Sequence, residues 1–187
     1  MPGHFRGLPV RMFQDGADRF VVTESFAFIR PCGNEVAVPV LTRGKYRLGF
    51  VTDGGSKPRI VMAIIGTATD RYFPAYVVHD TGYRCKPYGA SKRGRVIVDT
   101  ILLEAMEAID AAEPAGSVTR AARAAKRATI YRMVRIFGRF WFHGGKPLNL
   151  DKITPDHTGP DFQIIPDLDR PHTLRVHTLR APPVPTA

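Results

Sequence analysis

The chain has 187 residues, 44% hydrophobic and 10% aromatic, enough to build a core and too many for a disordered polymer. Its 27 Lys and Arg against 17 Asp and Glu give a formal charge of +10, which points to an anionic partner: nucleic acid, an acidic lipid surface or an acidic protein face. No apolar run approaches the ~18–20 residues of a membrane span, and the opening MPGHFRGLPVRMF lacks the apolar centre of a signal peptide, so export is not expected.

To about residue 53 the chain reads as short strands. Phe20-Val21-Val22-Thr23 leads into Ser25-Phe26-Ala27-Phe28-Ile29, Glu35 to Val40 alternates polar and apolar, and Tyr46 to Val51 follows a Thr-Arg-Gly turn. Pro39 cannot donate to a ladder, so it belongs at an edge or a strand end. Residues 54–142 turn helical. Pro74 suits a first helical turn, leading an apolar run to about Arg84, and Ser91 is a good cap for a second helix to about Ala112. Ser117 or Thr119 opens a third helix expected to continue to Trp141, stopped by Gly144-Gly145.

From His143 to residue 187 there is no helical period and eight of the sixteen prolines, the composition of an extended arm. A short duplication there, HTLRV followed by HTLRA, places Leu174, Val176 and Leu179 where they could instead pair with a neighbouring subunit. The expected fold is therefore α+β, with a small N-terminal antiparallel sheet (1–53) on an antiparallel helix pair and a third, basic amphipathic helix. Residues 1–142 form the globular domain and 143–187 the arm. Cys32 and Cys85 have no CxxC spacing and read as buried free thiols, with a single bridge as the alternative.

Chemistry-bearing residues concentrate in the helical part. In Val77-Val78-His79-Asp80-Thr81-Gly82-Tyr83, His79 and Tyr83 are four apart and share a helical face, with Asp80 turned about 100° aside. Asp99 occupies the apolar stripe of the next helix, since Val96, Leu102, Leu103 and Met106 lie at helical spacing from it. A carboxylate buried there needs a partner. His79 is one candidate, which would fix the ring and free its other nitrogen to take a proton from water. Arg95, one turn earlier, is the competing partner and would make a structural ion pair. Asp53, in Thr52-Asp53-Gly54-Gly55, ends a strand in a turn whose oxygens suit a hard cation or an Asx-type hydrogen bond.

Between Ser117 and Pro147 there are eight Lys and Arg and no acid. Ile130, Met133, Val134, Phe137 and Trp141 form the apolar stripe, and Arg132, Arg135 and Arg139 are expected on the opposite side as an anion-binding face. Lipid headgroups, an acidic protein surface and nucleic acid all fit that face, although no nucleic-acid motif accompanies it. Zinc spacings such as HExxH are missing.

The motifs GFVTDGGSKPR, VVHDTGY and SKRGRVIVDTILLEAM, in that order over roughly residues 20–140, resemble an uncharacterised family common in bacteriophages and prophages, domain of unknown function 1353. The His-Asp-x-x-Tyr helix followed by an Asp-bearing helix is also similar to the core of compact phospholipases A2. That resemblance implies His79 as general base, Asp80 as a calcium ligand, Asp99 as the acid that orients His79, and Tyr83 as its support, with Asp53 in place of the usual calcium loop. Two functions follow as expectations. The first is a calcium-assisted ester hydrolase. The second is a non-enzymatic phage virion or accessory protein with a buried His79–Asp99–Tyr83 lock and a basic helix and arm docked on neighbouring subunits; the host cytoplasm or the assembled virion is the expected location on either. The second carries the expectation that Asp99→Leu is tolerated or stabilising. A nucleic-acid binder using the basic face is a third alternative.

Overall fold

In the computed structural model the residues described are 2–7, 10–14, 19–52, 71–113, 115–142, 146–156, 160–165 and 176–179. The β-branched and aromatic runs of the first part form seven strands: β1 (His4–Arg6), β2 (Val10–Gln14), β3 (Phe20–Val22), β4 (Phe26–Ile29), β5 (Glu35–Val38), β6 (Val40–Arg43) and β7 (Tyr46–Thr52). Pro39 falls in the break between β5 and β6, as its missing donor requires. Every strand pairing among the described residues is antiparallel. One sheet runs β1-β4-β5, the other β6-β7-β3-β2 with two later additions. β1 and β2 extend the strand region toward the N-terminus of the expected sheet, which began at Phe20.

Three helices follow: α1 (Phe73–Cys85), α2 (Lys92–Ala112) and α3 (Ser117–Phe137), with a short α4 (Arg139–Phe142). α1 carries Pro74 in its first turn and is buried almost all round, from Phe73 through His79. Phe73 meets Phe20 of β3 edge-on at 5.4 Å, which seats the helix on the sheet. The Ser91 hydroxyl caps α2 by accepting from the Gly94 N–H. α3 is different. Ile130 is its one fully buried side chain, with Met133 and Val134 partly buried against the core. Much of the rest of its hold on α2 runs through arginines: Arg127 bonds Asp110, and Arg123 donates to the Glu113 carbonyl at 2.8 Å and lies 3.6 Å from its carboxylate.

The third helix ends four residues short of Trp141. Gly138 separates α3 from α4, and a Cβ there would strike the Tyr83 hydroxyl, so the chain passes that phenol only as glycine. The arm is laid back on the domain wherever it is described. β8 (Phe162–Ile164) pairs with β7, Phe162 packs on Phe50 at 5.8 Å, and Ile153 is buried. Arg43 ties the approach by donating to the Ile153 carbonyl (3.1 Å) and the Leu150 carbonyl (3.0 Å). β9 (Val176–Leu179) adds to β2 of its own chain, the edge pairing that the sequence suggested for a neighbouring subunit; Leu174 lies outside the described residues. The two cysteines are free; Cys85 is half-buried, but Cys32 is exposed, contrary to the expected burial, because it sits in the turn between β4 and β5.

Candidate active site

Two helices must run close together for Asp99 to meet α1. Gly82 permits it: a Cβ at that position would lie 2.6 Å from Val98 Cγ1, so the Val98 side chain of α2 packs directly on the α1 backbone. Tyr83 and Asp99, the next residues on each helix, therefore meet. The Tyr83 hydroxyl donates to Asp99 Oδ1 at 2.6 Å, and His79 Nε2 lies 3.2 Å from the same oxygen. The two rings sit 4.1 Å apart between centroids, and Phe142 closes over Tyr83 edge-on at 5.0 Å.

Asp99 is 0% exposed, and its second oxygen is occupied as well. Arg135 Nη1 donates to Oδ2 at 2.8 Å, and Arg95 Nη1 lies 3.8 Å from it while donating to the Arg135 carbonyl at 3.1 Å. His79 and Arg95, read from sequence as rivals for Asp99, thus share it. Burial pushes the Asp99 carboxyl up, but hydrogen bonds from His79 and Tyr83, the imidazole charge and the bond from Arg135 outweigh it, holding the carboxyl below its usual range. Burial, and then the bond to Asp99, push the Tyr83 phenol well up, so it stays a donor.

An ionised carboxylate only accepts, so a neutral His79 facing it carries its proton on Nε2. Nδ1 is left with its lone pair and has no hydrogen-bond partner among the described residues. The arrangement is chemically an imidazole base held by a buried acid.

The other candidate residues divide. Asp80 is half-buried on α1 and accepts from the Thr52 hydroxyl at 2.5 Å, which brings the end of β7 to it. Asp53 follows Thr52 in the chain and lies outside the described residues. Calcium takes about six to eight oxygens. The described residues bring the Asp80 carboxylate and the Thr52 hydroxyl together, and among them no group of three His, Cys, Asp or Glu side chains is placed to hold a metal ion. They do not make up a calcium site, and no step below is routed through one.

Arg132 and Arg139 are exposed on the outside of the α3–α4 segment, as expected. Arg135 is not with them. Its guanidinium turns inward to Asp99, because a long stem on the flank of the helix reaches a buried charge and gains a charge-assisted hydrogen bond there. The same geometry bears against the expected tolerance of leucine at position 99: three side chains donate to that carboxylate with Arg95 beside it, and removing it alone would strip the buried ones of their partner. Thr52 and Gly138 also escaped the sequence reading. Thr52 had one signal, its place beside Asp53 at a strand end; Gly138 had none beyond being a glycine in a helical run.

The family described as Protein of unknown function (DUF1353) matches residues 21–122, more than half of the chain, and the chain belongs to that family. The matched span runs from within β3 through β7, α1 and α2 into the start of α3, and so includes His79, Tyr83 and Asp99 but not Arg135. No curated protein and no solved structure matches the chain.

Proposed function

We propose that this member of the DUF1353 family is an ester hydrolase in which His79 is the general base. One observation carries the reading: a wholly buried Asp99 engages His79 through Nε2 and leaves Nδ1 as the acceptor. Nδ1 takes a proton from water, and the resulting hydroxide attacks the ester carbonyl. The tetrahedral adduct then expels the alkoxide, which recovers the proton from the imidazolium. Asp99 stays ionised throughout and stabilises the imidazolium, as the acid of a His–Asp pair does in acyl transfer generally. Tyr83 holds the Asp99 oxygen that faces the ring. The exposed Arg132 and Arg139 fit a substrate presented at an anionic surface, and phospholipid esters are the substrate class that combines the two features.

The test is hydrolysis of mixed-phospholipid vesicles read by mass spectrometry, for wild type, His79→Ala and Asp99→Asn, each with calcium and with a chelator. Release of fatty acid that vanishes in both variants, with the fold intact by circular dichroism, supports the reading. Folded wild type that is silent across neutral and anionic headgroups overturns it. The calcium and chelator arms separate a metal-dependent from a metal-independent reaction.

A second reading draws on the saturation of Asp99 with donors, which also suits a structural polar lock. On it the protein is a non-enzymatic phage particle component, docking through its basic helix and arm, and the silent wild type is the result it requires.

A further inference from the structure

The Asp99 carboxylate is divided between two sets of donors. Oδ1 takes His79 and Tyr83, both from α1; Oδ2 takes Arg135 from α3, with Arg95 of α2 beside it. The torsion that sets the plane of a carboxylate is soft. Rotation about Cβ–Cγ moves both oxygens together, so a donor on either resists it, and donors on both resist it most. The two donors on Oδ1 both come from α1, so they hold the carboxylate relative to that helix alone. The anchor on Oδ2 comes from a different helix, and Arg95 holds the Arg135 main chain in turn.

We infer that Arg135 is a positioning residue for His79, acting through Asp99: it pins Oδ2, so that Oδ1 stays on the imidazole Nε2–H and the ring keeps one orientation. This rests on the reading of His79 as the base, and it gives the third helix a part in the support of the site beside its exposed basic face. The side chain of Arg135 is 28% exposed against 7% for Arg95, so its guanidinium could be solvated instead; its place on Asp99 is a preference of the folded protein, not a consequence of confinement.

The experiment reads the imidazole directly and needs no substrate. The His79 Nε2–H proton, identified by its loss in His79→Ala, is followed by NMR at neutral pH in the full chain for wild type, Arg135→Lys, Arg135→Met and Arg127→Met. Arg127 clasps Asp110 from the middle of the same helix, about two turns before Arg135, and makes no contact with Asp99, so Arg127→Met loosens α3 without removing the pin. In Arg135→Met the exchange of that proton with water is expected to quicken by about tenfold or more, the worth of one hydrogen bond to a charged group. Arg135→Lys restores slow exchange in part, and Arg127→Met leaves it unchanged. Equal exchange in wild type and a folded Arg135→Met overturns the inference, as does equal quickening in Arg127→Met, which would make the effect one of helix docking alone. Vesicle hydrolysis in the same variants is read separately. A silent wild type with a pinned ring refutes the hydrolase and leaves the positioning role standing. An active wild type is expected to lose kcat, with KM unchanged, in Arg135→Met.

Discussion

Replacing Asp99 by leucine tests whether the buried cluster depends on its carboxylate. The side chain is 0% exposed and accepts from His79, Tyr83 and Arg135 at 3.2, 2.6 and 2.8 Å. Hydrogen bonds to a charged group contribute about 1.5–3 kcal/mol each, but they do not add, because the released donors recover water where they can reach it. Arg135, at 28% exposure, reaches it readily; Arg95 at 7% and His79 at 10% do not. The expected loss is therefore that of a buried pair stripped of one partner, about 3–5 kcal/mol. Urea unfolding followed by far-UV circular dichroism measures it. The companion variant, Asp99→Leu with Arg95→Met and Arg135→Met, should recover most of the loss, because it removes the orphaned charges along with their partner. Unfolding of the single variant at the wild-type urea concentration would refute the reasoning and show that desolvation of the carboxylate cancels all that its donors contribute.

The acid limb of stability should carry the same signature. The Asp99 carboxyl is held below its ordinary value of 3.8, so its contribution is fully present above that pH and is lost as the pH falls through it toward the folded-state value. Asp99→Asn should flatten that limb in pH-dependent urea melts, and an unchanged slope would count against the assignment. Gly138→Ala pushes a methyl onto the Tyr83 hydroxyl. It should cost about 1–3 kcal/mol and weaken the Tyr83 bond to Asp99, seen as a fall in urea midpoint; an unaltered midpoint would mean that α4 shifts freely. The Cys85 thiol is pushed up to about 11, chiefly by burial, whereas Cys32 is exposed. Iodoacetamide near neutral pH should label Cys32 well before Cys85 in peptide-resolved mass spectrometry, and equal rates would contradict the burial of Cys85.

The parts of this fold that sequence discloses are those where one local rule decides the outcome. Pro74 and Ser91 mark helix starts because a missing N–H and a capping hydroxyl act within a single turn. Asp99 is conspicuous because its neighbours at helical spacing are apolar, and a misplaced charge must find a partner. Arg135 is hidden for a geometric reason. Helical spacing places its Cα on a flank, while its chemistry sits at the end of a stem long enough to reach round that flank. The partners of the late strands are hidden for a different one. Nothing in Phe162–Ile164 outweighs the prolines around it, and Val176–Leu179 suggests an edge strand without saying whose edge; β7 and β2 supply those edges, which exist only once the rest has folded.

That last pairing bears on the order in which the molecule assembles. Met12 on β2 is matched with His177 on β9, a partner about 165 residues away along the chain. The helix pair and the β4–β5 and β6–β7 hairpins join near neighbours in sequence and can form early, but the outer edge of β2 has no strand beside it until the far segment arrives. The entropy of closing so long a loop grows only slowly with its length, so the cost is one of time more than of stability. During that interval an open ladder of N–H and C=O groups is offered to any strand nearby, including one from another copy. Refolding yield should then depend on how dilute the chains are, with losses arising from pairing between molecules before β9 covers the edge.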